Sequence, residues 1–469
     1  MGRENVLYPP VFYKFQFSLE KAGWRFEMQK IGVSPKGVII GFILALVSFN
    51  MGRPAHAVVA APAGPGYQCP NDIDNRPLGW SSGGSKGVED RDQNGNGIFD
   101  ADPNVVCMRL GVTDGYVKMP DGSNHYIFGF VDLTGVPENE IVNYKFKSRL
   151  PAPTIEVQEG QTLYLTETNL ALYLRPDLDD SHTLHFHGFP HAMAIFDGVP
   201  ELSIAVPAGR DFTYFYKLND PGSYPYHCHF EPVEHIQMGM VGIIVVHPKQ
   251  NGVNGAGDVL TGKYAYNDGG LAPDTGYDIA YPLLINELDA APHRNLETIQ
   301  EGATLWHEYQ PNYFTINGRA YPDTILADDD PSLMNQNGYI AQTSSLITAG
   351  PNQKILLRIV SLGYQTHSLT VPGIPMHVVG EDAKLLRGPD GKDLSYWKTV
   401  YSIAGGKTAD IILDTAGLNP GETYFLFARE LHNQSNLSLT DRLMTRNNPA
   451  IKVGAENRGG MMTEIRIIN

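Results

Sequence analysis

The chain has 469 residues, enough for two or three domains that each bury a core of their own. Its 51 acidic residues outnumber 35 basic ones, which gives a net charge of −16 with no long basic cluster, and this argues against nucleic acid or an anionic membrane surface as a partner. Glycine (49) and proline (33) are plentiful and helical periodicity is scarce, so we expect an all-β fold of short strands joined by turns.

Residues 1–57 have the pattern of an export signal. Two lysines precede the apolar run GVIIGFILALVSFNM, and the short stretch RPAHA ends at Ala57, as in a cleavable signal peptide. The residues before Met28 fit this pattern poorly, so Met28 is a candidate for the true start. An uncleaved anchor is the alternative, although the run is short for a membrane span. We therefore predict a periplasmic or secreted protein.

Residues 58–124 form a polar, glycine-rich segment that contains two of the three cysteines. Export to an oxidising compartment permits a disulfide, and Cys69 and Cys107 are the obvious pair. Cys228 is then left as the odd thiol, available to a metal.

The same segment contains DRDQNGNGIFDAD, in which oxygen-bearing side chains alternate as they do in a calcium loop. The candidate calcium ligands are Asp92, Asn94, Asn96 and Asp100. The motif lacks the glutamate that closes an EF-hand, and a solvated Asp/Asn/Gly turn is the alternative interpretation.

From His125 onward the pattern becomes that of strands. PAPTIEVQEGQTLYLTETN alternates apolar and polar residues on both sides of its EG turn, the period of half-buried strands. A Gly/Asn/Asp-rich connection without periodicity follows at 248–277. We predict two β-domains, 125–247 and 278–469, joined by this linker.

The second domain repeats the first at the level of sequence. IAGGKTADIILDTAGLNPGETYFLFARE parallels VPAGRDFTYFYKLNDPGSYPYHCH, and the comparison aligns His182 with His367. It also aligns the triplet His227 to His229 with Ala428 to Glu430. The second domain therefore lacks a cysteine where the first has Cys228.

The stretch YPYHCHFEPVEHIQMGM, Tyr224 to Met240, concentrates histidine, cysteine and methionine. These ligands suit copper, and two His with one Cys and a weak axial Met make a blue-copper site. In a strand, His227 and His229 face one side and Cys228 the other. The same spacing recurs in SHTLHFHGF, which contains three further histidines.

Five segments in one order resemble the multicopper oxidases and their copper nitrite reductase relatives: HTLHFHG, the DG at Asp197, PAGRDFTYFYKL, PGSYPYHCH and HIQMGMVG. The resemblance covers about residues 125–469 and is densest in the first domain. It implies two tandem cupredoxin-like Greek-key β-sandwich domains. It also implies a blue copper, with the ligands His182, Cys228, His235 and Met240. Met238 is the competing thioether.

The resemblance further implies a second copper centre in the first domain, held by His185, His187, His227 and His229. In two-domain relatives the remaining ligands come from the second domain of a neighbouring subunit, so a homotrimer is expected. This chain has Thr370, Pro372 and Ala428 to Glu430 where the family repeats its histidine pairs. The second domain is therefore expected to be degenerate, with His367, His377 and His432 as its remaining candidates.

The function implied is that of an exported copper-dependent oxidoreductase. It would take electrons from a small molecule or a redox protein at the blue copper and reduce oxygen at the second centre. One alternative is a nitrite reductase-like enzyme, although His185 stands where those reductases resemble one another in having a catalytic aspartate. Another is a blue-copper electron carrier or scaffold. A thiol enzyme is disfavoured by the geometry of the strand triplet around Cys228.

Overall fold

The computed structural model consists of strands joined by turns, with two short helices in the part of the chain that it describes, which confirms the all-β class. It describes four short strands within 13–30 and then residues 105–178, 180–252, 262–434 and 459–469. Most of the predicted signal region, Cys69 and the predicted calcium loop lie outside the described residues. Within the described ranges, no helix has the length and apolar character needed to cross a membrane.

The chain divides into two units, Met1–Gly64 and Pro65–Asn469. In the first unit, β1 (Tyr13–Gln16) pairs antiparallel with β4 (Glu27–Lys30), and β2 (Leu19–Glu20) pairs with β3 (Gly23–Trp24).

The second unit begins with a sandwich of two four-stranded sheets. One sheet has the order β10-β8-β5-β6 and the other β7-β12-β11-β9. The strands are β5 (Val105–Lys118), β6 (Asn124–Asp132), β7 (Ile155–Gln158), β8 (Thr162–Asn169), β9 (His185–Phe186), β10 (Asp211–Lys217), β11 (Gly222–His227) and β12 (Val241–His247). The helix α1 (Pro232–Met238) connects the last two strands. Because β5 pairs with both β6 and β8, this sandwich starts before the predicted boundary at 125.

A second sandwich follows, with sheet orders β14-β13-β16-β22-β18-β19 and β15-β24-β23-β17-β21, while β20 also pairs with β18. Its strands are β13 (Ile279–Leu288), β14 (Tyr313–Ile316), β15 (Ile347–Ala349), β16 (Lys354–Ser361), β17 (His367–Thr370), β18 (Met376–Glu381), β19 (Lys384–Leu385), β20 (Tyr396–Lys398), β21 (Val400–Ile403), β22 (Lys407–Asp414), β23 (Thr423–Ala428) and β24 (Met462–Ile467). The helix α2 (Ala290–Glu297) follows β13. Within the predicted linker, Tyr266 is buried against the second sandwich.

Strand β11 lies between the two sandwiches and is buried on both faces. Tyr224 and Tyr226 belong to the core of the first sandwich. On the other face, the Ser223 hydroxyl donates to Asp410 Oδ1 at 2.7 Å, and Arg358 Nη1 lies 3.4 Å from the same carboxylate oxygen. Both charged residues belong to the second sandwich and are 1% exposed. The residues of β11 that point away from the first core therefore meet the second sandwich.

Strand pairing supports the repeat between the two sandwiches. His182 pairs with Val206, and the aligned His367 pairs with Ile403. The register of the neighbouring strand pair differs by one residue between the two sandwiches. In the first sandwich His227 lies opposite His185, whereas in the second the aligned Ala428 lies opposite Leu369. Leu369, rather than the expected Thr370, thus occupies the place of His185, since a one-residue shift in a strand exchanges its faces.

Candidate metal centre

Three of the four predicted blue-copper residues converge in the core of the first sandwich. Cys228 Sγ lies 3.8 Å from His182 Nδ1 and 3.3 Å from His235 Nδ1. The three ligand atoms all lie within 4.8 Å of one another. Each of the three residues is at most 1% exposed. Both imidazoles therefore present the same nitrogen to the sulfur in a closed site.

The helix α1 follows Cys228 in the chain and brings His235 back to the Cys228 sulfur. It starts after Glu231, which has a left-handed φ of 46°, and has a proline in its first turn, a favoured position. It ends at Gly239, whose φ of 115° is suited to glycine. A Cβ at Gly239 would lie 2.9 Å from the Phe128 carbonyl oxygen. The local sequence thus fixes His235 over Cys228.

Sheet register favours Met240 over Met238 as the fourth ligand. The Cys228 N–H donates to the Met240 carbonyl at 3.2 Å, which continues the ladder that pairs His227 with Val241. Residues directly opposite each other in an antiparallel pair have side chains on the same face. The Met240 side chain, which is fully buried, therefore lies on the face of the Cys228 sulfur.

The electrostatics of this cluster favour a cation beside the sulfur. Burial lowers the pKa of His182 well below its usual range. Burial also opposes a charge on His235, yet the neighbouring Cys228 and Asp180 raise the pKa of His235 to about 10. The Thr183 N–H also donates to Cys228 Sγ at 3.4 Å. The donor set of two imidazoles, a thiolate and a thioether fits copper.

A second cluster joins the paired histidines on the other face of β11. The ligand atoms of His185, His187 and His227 lie within 4.8 Å of one another. The ring of His229 lies 5.0 Å from that of His185 and 5.8 Å from that of His227, nearly parallel to the latter. The structure thus brings together all four histidines expected in a second centre, opposite Cys228.

These imidazoles are suited to bind a metal in their neutral form. Burial lowers the pKa of His227 to about 3, and burial followed by repulsion from His185 lowers the pKa of His187. His185 Nδ1 lies 2.6 Å from the Asp197 carbonyl oxygen, which requires Nδ1–H to donate and leaves Nε2 free for a ligand bond. The Asp197 carboxylate Oδ1 lies 3.6 Å from the same nitrogen.

The second sandwich of the same chain contacts this cluster without adding a histidine among the described residues. A Cβ on Gly406 would lie 3.3 Å from the ring of His187. His367 instead has Nε2 2.8 Å from Glu287 Oε2 and Nδ1 3.0 Å from the Asn433 amide, which donates to it.

The two other candidate histidines of the second sandwich are also engaged elsewhere. The His377 ring stacks on Trp397 at 4.4 Å, and its Nε2 lies 2.9 Å from Ser395 Oγ. The His432 ring packs against Phe314 at 5.6 Å. The contacts of His377 account for that ring without a metal, and His432 is exposed.

Some residues of the two clusters were not assigned from the sequence. Asp197 belongs to the DG motif, and its position in a matching segment was the available signal. Asp180 and Thr183 flank His182, but nothing in their spacing indicated contact with His235 or Cys228. Cys107 is disulfide-bonded and Cys228 is a free, buried thiol.

Comparison with known proteins shows that the chain is similar to copper proteins. Residues 133–251 match the family model described as multicopper oxidase. Copper resistance protein A of Escherichia coli is 23% identical over 309 residues, covering 60% of this chain and 44% of that protein. A copper-containing nitrite reductase of Neisseria meningitidis is 32% identical over 108 residues, 23% of this chain and 25% of that protein. The chain thus spans less than half the length of these relatives.

The fold is similar to that of a solved blue copper oxidase from Nitrosomonas europaea, with a TM-score of 0.52 and 21% identity. The match covers 77% of this chain and 85% of that structure. It confirms tandem cupredoxin-like sandwiches.

Proposed function

We propose that this chain, whose residues 133–251 match the multicopper oxidase family model, is an exported copper-dependent oxidoreductase that reduces oxygen. One observation carries the proposal: two metal-ligand clusters lie back to back at the end of a single strand. Cys228 belongs to one cluster, and its neighbours His227 and His229 belong to the other. Two redox sites would therefore be separated by a few covalent bonds.

The first site would hold a blue copper on His182, Cys228, His235 and Met240. The second would hold further copper on His185, His187, His227 and His229. Copper in these positions supplies one-electron chemistry, taking electrons from a small molecule or a redox protein and delivering them to the acceptor.

The two clusters differ in their access to solvent, which gives them different roles. The first cluster is fully buried and has four protein ligands, so it excludes water and leaves no position for an acceptor. His185 and His187 are half-buried, which gives a small molecule access to the second cluster. The Asp197 carbonyl holds the proton of His185 on Nδ1 and orients the ring.

The acceptor is tested with the copper-loaded protein. We expect an intense visible thiolate–Cu(II) band, oxygen consumption with a one-electron donor, and loss of consumption in His229→Ala with the band retained. A fully copper-loaded protein without the band would overturn the blue site. A protein whose band bleaches and recovers without any consumption would be an electron carrier.

Nitrite is the second candidate acceptor. The segment that is 32% identical to a copper-containing nitrite reductase favours it, and so does the close group of three imidazoles. The same preparation assayed anaerobically with nitrite separates the two reactions. Nitrite consumption without oxygen consumption would replace oxygen as the acceptor.

We also propose that the second centre is completed in a homotrimer. The chain's own second sandwich presents Gly406 rather than a histidine to His187. The segment after His187 exposes the apolar side chains of Met193 (57%), Ile195 (40%) and Leu202 (69%), which suits contact with another subunit. Light scattering tests the trimer, and a monomer that retains all its copper after dilution would contradict it.

Export to the periplasm or outside the cell is supported by two features. The sequence of residues 1–57 has the pattern of a signal peptide, and Cys107 is disulfide-bonded, as expected in an oxidising compartment. Amino-terminal sequencing of the protein recovered from its host tests cleavage near Ala57. Recovery of the intact chain from the cytoplasm would contradict export.

A further inference from the structure

We propose that the first sandwich contains an electron relay in which Tyr126 and Tyr116 undergo reversible one-electron oxidation between the exposed Tyr173 and the blue-copper ligand His235. The inference rests on the proposed function, because it needs copper at His235 and Cys228. It assigns a redox role to two residues that bind no metal.

The relay follows a line of aromatic rings through the sandwich. Successive ring centroids are 5.0 to 5.8 Å apart. In order, the rings are Tyr173, Phe146, Tyr116, Tyr126, Phe128 and His235. Tyr173 is 64% exposed, whereas Tyr126 and Phe128 are completely buried. The line therefore connects solvent with a ligand of the closed site.

Both tyrosines in the middle of the line have a base at the phenol. The Tyr126 hydroxyl donates to Asp114 Oδ2 at 2.8 Å, and the Tyr116 hydroxyl donates to Glu297 Oε1 at 2.7 Å. These distances are within the range for direct proton transfer. Burial raises the pKa of Asp114, which makes its carboxylate a stronger base.

Packing of aromatic rings is by itself a common way to fill a core. Tyr226 illustrates this case in the same core, since its hydroxyl donates to the Pro153 carbonyl oxygen at 2.6 Å. A carbonyl cannot take up a proton at neutral pH, so the neutral radical of Tyr226 is not accessible by this route. The carboxylate partners distinguish Tyr116 and Tyr126 from it.

The chemical steps balance with copper as the oxidant. Tyr126 loses one electron, its phenolic O–H bond breaks, and the proton forms a new O–H bond on Asp114. A Cu(II) ion held by His235 and Cys228 would accept the electron through Phe128 and the His235 ring and would thereby be reduced to Cu(I). Tyr116 then reduces the Tyr126 radical, which recovers its proton from Asp114, while the Tyr116 proton moves to Glu297. A one-electron reductant in solution restores Tyr116, which recovers that proton.

The test attaches a ruthenium polypyridyl photo-oxidant to Tyr173→Cys. Labelling is selective because Cys107 is disulfide-bonded and Cys228 is completely buried. The backbone N–H of residue 173, which donates to Asp114, is retained. In the reduced, copper-loaded protein, a flash with an electron-accepting quencher generates the oxidised label. The return of the thiolate–Cu(II) band then measures transfer along the relay.

In this background we expect Tyr126→Phe to slow the return of the band at least about tenfold, equivalent to about 1.4 kcal/mol in the barrier. Electron paramagnetic resonance of rapidly frozen samples should show a phenoxyl radical that the variant lacks. Because Tyr126 is buried, Glu297→Gln provides a second variant that keeps the core, and it should slow transfer because an amide accepts no proton.

The matched control is Tyr226→Phe, which removes a buried phenol off the line and should leave the rate unchanged. Equal rates in Tyr126→Phe, Glu297→Gln and the control, with no radical signal, would refute the relay while the blue site stands. A starting protein without the blue band would refute both the relay and the proposed function.

Discussion

A carboxyl group in the core of the first sandwich makes its stability depend on pH. Glu167 follows Leu163 and Leu165 at alternate positions of β8, and all three are completely buried. Its Oε2 accepts from the Tyr214 hydroxyl at 3.1 Å. Its Oε1 is buried with no hydrogen-bond partner in the described part of the chain. Burial therefore raises the pKa of Glu167 to about 8, although Tyr214 and His235 oppose the shift.

The direction in which stability changes with pH follows from the protonation of Glu167 in the folded and unfolded chains. The unfolded chain releases this proton near 4.5, the ordinary pKa of a glutamate side chain, whereas the folded chain retains it up to about 8. The stability that the folded chain gains by keeping Glu167 protonated is complete below pH 4.5 and is lost as the pH rises to about 8. At about 1.36 kcal/mol per pH unit, the loss amounts to about 5 kcal/mol.

Glu167→Gln removes the titration without removing the side chain. We expect the unfolding free energy of the copper-free wild type to fall relative to the variant between about pH 5 and pH 8, with no further divergence above that range. Urea denaturation at several pH values measures it, and the exposed Glu201→Gln serves as control. If wild type and Glu167→Gln gave parallel curves, the carboxyl would not be held neutral and the reasoning would fail.

Further substitutions test the clusters and the contact between the sandwiches. Cys228→Ser should abolish the visible thiolate–Cu(II) band in absorption spectra of the copper-loaded protein. Gly239→Ala, which places a Cβ at a φ of 115° and 2.9 Å from a carbonyl, should lower the unfolding free energy by about 1–3 kcal/mol and broaden the band by loosening His235. Asp410→Asn removes the partner of the buried Arg358 and should lower the unfolding free energy by about 3–5 kcal/mol. Asp382→Asn, in an exposed pair, should lower it by less than about 1 kcal/mol in the same denaturation assay.

Local chemistry made much of the metal centre predictable from the sequence. Alternation along a strand separates Cys228 from His227 and His229 whatever the surrounding fold, so the two-sided arrangement depends on three consecutive residues. The turn to His235 is similarly local, because Pro232 and Gly239 delimit a single short helix. The strand periods and turn residues likewise indicated the all-β class.

Contacts between distant segments were not predictable in the same way. His367 was a candidate ligand because its spacing matches that of His182. In the structure both of its ring nitrogens contact residues far from it in sequence, Glu287 and Asn433, rather than the second cluster. Strand β5 lies before the predicted boundary, although it forms an antiparallel hairpin with β6 and the intervening PDG is a local turn signal. Its parallel pairing with β8 leaves no such signal in local turns.

The position of β11 explains how one cluster can persist while the other depends on the second domain. Every ligand of the first cluster comes from the first sandwich, so changes at Leu369 or Ala428 leave it intact. The second cluster lies on the face of β11 that meets the second sandwich, where Gly406 contacts His187. Substitutions in the second sandwich are therefore expected to alter the surroundings of this cluster and not those of the first. Under the proposed function, such a chain would retain its blue-copper site even where the second centre is completed by a neighbouring subunit.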